Sequence, residues 1–330
     1  MDVLIELIKE LIENNDIKEL LTFLNENGDH LIEHENTNLF TLRHKAIDIA
    51  TENNSPDCVI AILDSDNFAQ LPDPINPYEK PEWTNRHYAL DTAIDQKNIE
   101  CIKRILNSGE DNNFGYSRWQ GETDGLQIRH YTVHMLIHFD DSDSLATLLN
   151  EKGFGNEEWP GDHIGSETNT KTTVKRYAVL AAAQDGQTQC LNKLLNTENF
   201  GDISSEQYSY IIETPRLHAL AVACHRNQYD SISVILDTYH EQNHQQYGSF
   251  LKEMAIMHCD YVAAYDSLSK LLFERGFHEL DSPTKKAPWK LHHQSIEDLA
   301  KLGHATSLRQ LLDHKKPNNQ AIGNEPWPEK

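Results

Sequence analysis

The segment His-Glu-Gln-Asn-His at residues 240–244 has the spacing that puts two imidazoles on one helix face beside a carboxylate. There His240 and His244 would hold a zinc ion, and Glu241 would take a proton from the metal-bound water, as in a zinc-dependent hydrolase. The flanks, YHEQNHQQYG, are polar throughout, whereas a buried catalytic helix needs an apolar side. With 18 histidines in the chain, one accidental match is unsurprising. A second series, His130, His134 and His138, also falls roughly on one face of a helix, but no fourth ligand or supporting group is identifiable for it. The five cysteines are scattered, which points to a reducing compartment without a disulfide framework. No glycine-rich phosphate loop, nucleophile elbow or kinase signature occurs. The expectation is a chain that is not an enzyme and has neither metal nor cofactor, with the zinc hydrolase as the alternative.

The elements that would carry these residues follow a repeat. Apolar pairs close a helix at Phe23-Leu24, Ile62-Leu63, Ile105-Leu106, Leu148-Leu149, Leu194-Leu195, Ile235-Leu236, Leu271-Leu272 and Leu311-Leu312. Seventeen places before the first member of each pair stand Glu6, Lys45, Tyr88, Tyr131, Tyr177, His218, Met254 and Gln294, at steps of 36 to 46 residues. Eight units at such a period predict a stack of helix pairs. Taking these residues as place zero, place five holds Leu11, Ala50, Ala93, Leu136, Ala182, Ala223, Cys259 and Leu299, apolar or small where helices must approach. Place twelve holds Asp57, Glu100, Asp143, Asp230 and Asp266, acids suited to the start of a second helix. Cys58, Cys101 and Cys190 share place thirteen, and Cys224 and Cys259 lie in first helices, so all five are expected to pack as small hydrophobes.

Bulk properties agree with an elongated array. Hydrophobic residues are 38% of the 330, low for a compact globule and suitable for units that touch only their neighbours. The 52 acidic residues outweigh 29 basic ones, a net of −23, which argues against nucleic-acid partners. No apolar run reaches the roughly 20 residues that span a bilayer, so no integral membrane segment is expected. The start, MDVLIELIKELIENND, reads as an amphipathic helix and not as a signal peptide.

The pattern resembles the ankyrin repeat. AVLAAAQDGQTQCLNKLLNTENFG (178–201) has a small-residue first helix, a glycine at the turn and a second helix ending in paired leucines; LGHATSLRQLLDH (302–314) keeps a Gly-His turn. That family's Thr-Pro-Leu-His start is mostly missing, and TPRLHALA (214–221) lies about one helical turn early. The intervals also exceed the family's usual length, so the connecting fingers must be enlarged. The resemblance implies an all-α solenoid of about eight stacked helix-turn-helix repeats with long hairpin or loop fingers. One array would occupy 1–314, with units near 3–25, 43–64, 86–107, 129–150, 175–196, 216–237, 250–273 and 293–313, followed by a mobile tail at 315–330. It also implies a monomeric, cytoplasmic scaffold that binds a protein partner through its inner groove and fingers. Degenerate arrays of this kind are similar to effectors that intracellular bacteria deliver into the host cytosol, the alternative location.

Two features add candidate contacts. DNFAQ, NNFGY, KGFGN and ENFGD place Phe68, Phe114, Phe154 and Phe200 after the helix pairs, and Trp83, Trp119 and Trp159 follow in the fingers. These aromatics either staple each finger to its neighbour or anchor a partner. Two places before place zero stand Arg43, Arg86, Arg129, Lys175 and Arg216. Positive charge at a helix start opposes the helix dipole. These cations are therefore either paired internally, with Asp48 and Asp91 as candidates, or form an exposed basic stripe that grips an acidic or C-terminal segment. The basic stretch PTKKAPWKLHH (283–293) is a further local patch on an acidic chain.

Overall fold

In a computed structural model, described for residues 1–32, 40–73, 83–109, 114–119, 126–160, 172–196, 214–238, 245–281, 289–314 and 321–324, the chain is all-helical. It divides into two compact units, 1–162 and 163–330. The first holds α1 (Asp2–Glu13), α2 (Ile17–Asn27), α3 (Leu42–Glu52), α4 (Pro56–Asp64), α5 (Asn85–Asp95), α6 (Ile99–Leu106), α7 (Ile128–His138) and α8 (Ser142–Asn150). Here α1, α3, α5 and α7 pack in succession, and α2, α4, α6 and α8 do the same beside them. The second unit holds α9 (Val174–Asp185), α10 (Thr188–Leu195), α11 (Pro215–His225), α12 (Tyr229–Asp237), α13 (Gln245–Tyr261), α14 (Tyr265–Ser269), α15 (Leu291–Leu302) and α16 (Ala305–Asp313). Its first helices α9, α11, α13 and α15 also pack in succession, and a π-helical turn, Lys270–Glu274, continues α14.

One turn geometry makes every helix pair. Nine places into each unit the backbone is left-handed, at Asn15, Asn54, Lys97, Asp140, Gly186, Asn227, Ala263 and Gly303. The next residue's N–H then reaches back to the place-five carbonyl: Asp16 to Leu11, Ser55 to Ala50, Asn98 to Ala93, Asp141 to Leu136, Gln187 to Ala182, Gln228 to Ala223, Ala264 to Cys259 and His304 to Leu299, at 2.8–3.0 Å. That bond satisfies a carbonyl orphaned at the helix end. Asn, Asp and Gly tolerate the left-handed region best, which leaves Lys97 and Ala263 as the costly occupants. The residue after the turn also caps the second helix: Asp16, Asn98 and Asp141 each accept from the backbone N–H three residues on, at 3.1–3.3 Å.

The core lies between the two helix layers of each unit. Place five is buried in every repeat, and all five cysteines are buried. Burial pushes the Cys101 thiol up to about 12, so it stays protonated and unreactive. Four antiparallel bridges, Leu31 with Thr41, Pro72 with Thr84, Arg118 with Gln127 and Asp281 with Lys290, close the finger bases as short hairpins.

Candidate functional surface and the buried clamps behind it

The basic positions are not exposed. Arg43, Arg86, Arg129 and Arg216 are all at most 5% exposed. Each sits second in its helix, yet its side chain runs away from that helix toward the C-terminal end of a second helix. Arg43 donates to Ser65 Oγ (2.6 Å) and Asp66 (3.0 Å). Arg86 donates to Ser108 and, at 3.0 Å, to Asp64. Arg129 donates to Asn107 Oδ1 (2.8 Å) and lies 3.9 Å from Glu151. Arg216 donates to the Ile235 carbonyl (2.9 Å) and to Thr238 Oγ1 (2.7 Å). Ser65, Glu151 and Thr238 are the C-terminal caps of α4, α8 and α12. A cation there complements the second helix's dipole, which resolves the conflict posed by its position at the start of the first.

The expected exposed stripe of Arg43, Arg86, Arg129 and Arg216 is therefore corrected: these cations are internal clamps between helix layers. Asp48 and Asp91, the anticipated partners, pair elsewhere. Lys175 occupies the equivalent place in α9, is half-buried, and desolvation lowers its pKa.

The aromatic residues complete the same clamps. Arg43 lies over Phe68, Arg86 over Phe114, and Arg129 over both Phe154 and Tyr116, with ring centroids 4.6–5.8 Å away. Trp83 is buried and stacks on His87 at 5.2 Å. Trp159 is buried edge-on to His130 at 5.0 Å. Trp119 is half-buried and packs against Tyr131 at 4.9 Å. All three are thus stapling residues in this fold, and only Trp119 retains a partly open surface. Phe200 lies outside the described residues.

A capping role that the sequence analysis did not assign falls to histidines, three of which follow Arg43, Arg86 and Arg129 directly. His44, His87, His130 and His293 are third in their helices, and each ring Nδ1 accepts the backbone N–H of the residue capping that helix, Thr41, Thr84, Gln127 or Lys290, at 3.0–3.2 Å. The signal was legible as Thr-x-Arg-His at 41–44 and 84–87, with Gln-Ile-Arg-His at 127–130. The proposed metal series does not assemble, because His130 is buried in its cap while His134 and His138 are exposed. Among the described residues no group of three or more His, Cys, Asp or Glu is placed to hold a metal. His240, Glu241 and His244 lie outside the described residues.

At the edge of the first unit's core runs a row on α3, α5 and α7, in which Tyr88 and Tyr131 are buried and Asp48 and Asp91 half-buried. Tyr88 donates to Asp48, and Tyr131 donates to Asp91 at 2.9 Å, each bond joining one repeat to the next. Lys45 lies 3.5 Å from Asp48. Glu52 and Asp95 are exposed at the far ends of α3 and α5, and His134 and His138 on α7. Burial raises the Asp48 pKa; burial, then the adjacent Asp48 and Asp91, raise those of Tyr88 and Tyr131. The row therefore presents half-buried carboxylates held by buried tyrosines, with exposed Glu52 and Asp95 beside them, a surface of mostly negative sign.

Among the described residues, no helix is long and apolar enough to cross a membrane. Comparison with protein-family models finds no match to this chain, and comparison with curated proteins finds none either.

Proposed function

We propose that the protein is a non-enzymatic interaction scaffold of ankyrin type, and that it takes a basic segment of a partner protein along the first-helix face of its repeats. The observation that carries this is the row Asp48–Tyr88 and Asp91–Tyr131, in which one repeat's buried hydroxyl fixes the preceding repeat's half-exposed carboxylate. Such bonds order acceptors on a surface before any partner arrives, which reduces the cost of ordering them on binding. The Thr-x-x-His caps at 41–44 and 84–87 and the left-handed turn in every helix pair support the ankyrin resemblance. With the arginines buried, the sign of the expected partner reverses: a basic segment fits this face, in place of the acidic or C-terminal segment that a basic stripe would have gripped.

Selection of a random peptide library on the full-length protein tests the reading. Enriched sequences should be rich in Lys and Arg, and a salt increase from 50 to 300 mM should weaken them, because exposed charges are screened over about 10 Å near 0.1 M. Asp91→Asn together with Asp95→Asn should cut their affinity by about tenfold or more, at roughly 1 kcal/mol per lost contact. Enrichment of acidic peptides, or binding indifferent to both variants, would reject this face as the binding surface.

A further inference from the structure

The histidine caps recur with one chemistry in four helices, and that chemistry depends on protonation. An Nδ1 that accepts a backbone N–H carries no proton, so the ring proton sits on Nε2. In the first clamp that arrangement continues, because His44 Nε2 lies 2.9 Å from Asn85 Oδ1, and Asn85 in turn donates to the Phe68 carbonyl at 3.0 Å. The chain His44–Asn85–Phe68 thus ties a first helix, the next first helix and the segment after the second helix into one connection.

Each ring is also enclosed. Phe40, Phe68 and Tyr88 surround His44 at 4.9–5.4 Å, Trp83 and Phe114 flank His87 at 5.2 and 5.0 Å, and Phe154 and Trp159 flank His130 at 5.4 and 5.0 Å. The charged groups around them favour the neutral ring. On the same helices stand Arg43, Arg86 and Arg129, each lying over the very phenylalanine that its histidine touches. The nearby carboxylates Asp66, Asp64 and Glu151 are ion-paired with those arginines, and Asp48 accepts from Tyr88. His293 has His292 at 4.0 Å and Trp289 at 6.0 Å, while its own cap residue, Lys290, pairs with Asp281.

We propose that these third-position histidines form an acid-sensitive lock on the finger bases. Proton uptake at Nδ1 replaces an acceptor with a donor facing the cap N–H, places a second cation against the arginine, and separates the finger base from the helix start. The lock belongs to the fold, independent of what the first-helix face binds. Burial supports it, holding the His130 imidazole down to about 4. A group lowered in this way contributes stability that is present above its unfolded value near 6.5 and is lost as pH falls toward the folded value.

Hydrogen exchange on the full-length protein at pH 7.0 and 5.0, corrected for intrinsic rates, tests the lock. The cap amides of residues 41, 84, 127 and 290 should lose tenfold or more protection relative to amides in the middle of α4, α6 and α8. His87→Gln keeps a side-chain acceptor for the cap N–H, as in an ordinary capping box, but cannot be charged. That variant should abolish the acid response at residue 84 and leave it at residues 41 and 127. Ring nitrogen shifts of the wild type provide a second readout that needs no variant, and they should show the Nε2–H form at pH 7.5. Uniform loss of protection across all helices, or rings that gain a proton near pH 6.5 while the cap amides stay protected, would overturn the proposal.

Discussion

The helix starts of the two units solve the same problem by different means. In the first unit, α3, α5 and α7 each begin with Arg then His at the second and third positions, and the histidine accepts the cap N–H. In the second unit α15 keeps this cap with His293, whereas α9 has Lys175-Arg176 and α11 Arg216-Leu217 at those positions. In α9 and α11 only the threonine half of the capping box remains: Thr173 Oγ1 accepts from the Arg176 N–H and Thr214 Oγ1 from the Leu217 N–H, at 3.2 and 3.1 Å. The described partners of Arg43, Arg86 and Arg129 include carboxylates, whereas those described for Arg216 are the Ile235 carbonyl and Thr238. The requirement common to both is an acceptor at the end of the second helix, whether or not it is charged.

That contrast is breakable. Arg129→Ala removes the cation facing half-buried Glu151, which keeps the Asn107 amide as a donor at 2.8 Å. The expected cost is near the lower end of the about 3–5 kcal/mol for breaking a buried pair. Arg216→Ala removes hydrogen bonds from a charged donor to neutral acceptors, an effect of about 1.5–3 kcal/mol. Urea unfolding of both variants should rank them in that order; equal losses would mean that the carboxylate adds nothing to the clamp.

A buried acid of the second unit should add a pH response of the opposite sign. Asp260 is 1% exposed near the C-terminal end of α13, and burial, with Asp298 adding to it, holds its carboxyl well above the ordinary range. A raised acid keeps its proton in the folded chain after the unfolded chain has lost it. Its contribution is therefore whole below the unfolded value near 4 and diminishes as pH rises toward the folded value. Asp260→Asn should flatten that decline in stability between pH 4 and 7 and leave the acid response of the first unit intact. An unchanged slope would remove Asp260 from the account.

The smallest effect concerns the turns. Lys97→Gly relieves a left-handed lysine and should stabilise the first unit by about 0.5–1 kcal/mol, since the left-handed penalty of roughly 1–2 kcal/mol is partly offset by the entropy glycine adds to the unfolded chain. The same change at Asn15 or Asn54 should gain less, because asparagine tolerates that region. Thermal melts can rank the three variants.

The helices were legible in the sequence because apolar spacing and turn residues are local properties. Lys97 at place nine gave no warning, but its register with Asn15, Asn54 and Gly186 fixed the turn nonetheless. The arginines were legible as a column and illegible as clamps. Their charge was weighed against the helix that carries them, whereas a guanidinium on a long side chain acts several ångströms away, at the end of another helix. The histidine caps were hidden because the chain mostly lacks Thr-Pro-Leu-His, while the physics requires only an acceptor at the third position facing the cap N–H. His134, a member of the candidate metal series, is exposed; His130, one turn earlier, holds the cap N–H.

The distance from each buried arginine to its acceptor in the following second helix is constant along the chain: 22 residues for Arg43–Ser65, Arg86–Ser108 and Arg216–Thr238. The steps between successive units are not constant, running from 36 to 46 residues. The fold therefore carries an internal ruler that measures each helix pair and is blind to the chain between pairs. Insertions and deletions confined to the finger tips leave every arginine opposite its acceptor, so tip sequences can diverge in length, one finger at a time, while the scaffold keeps its register.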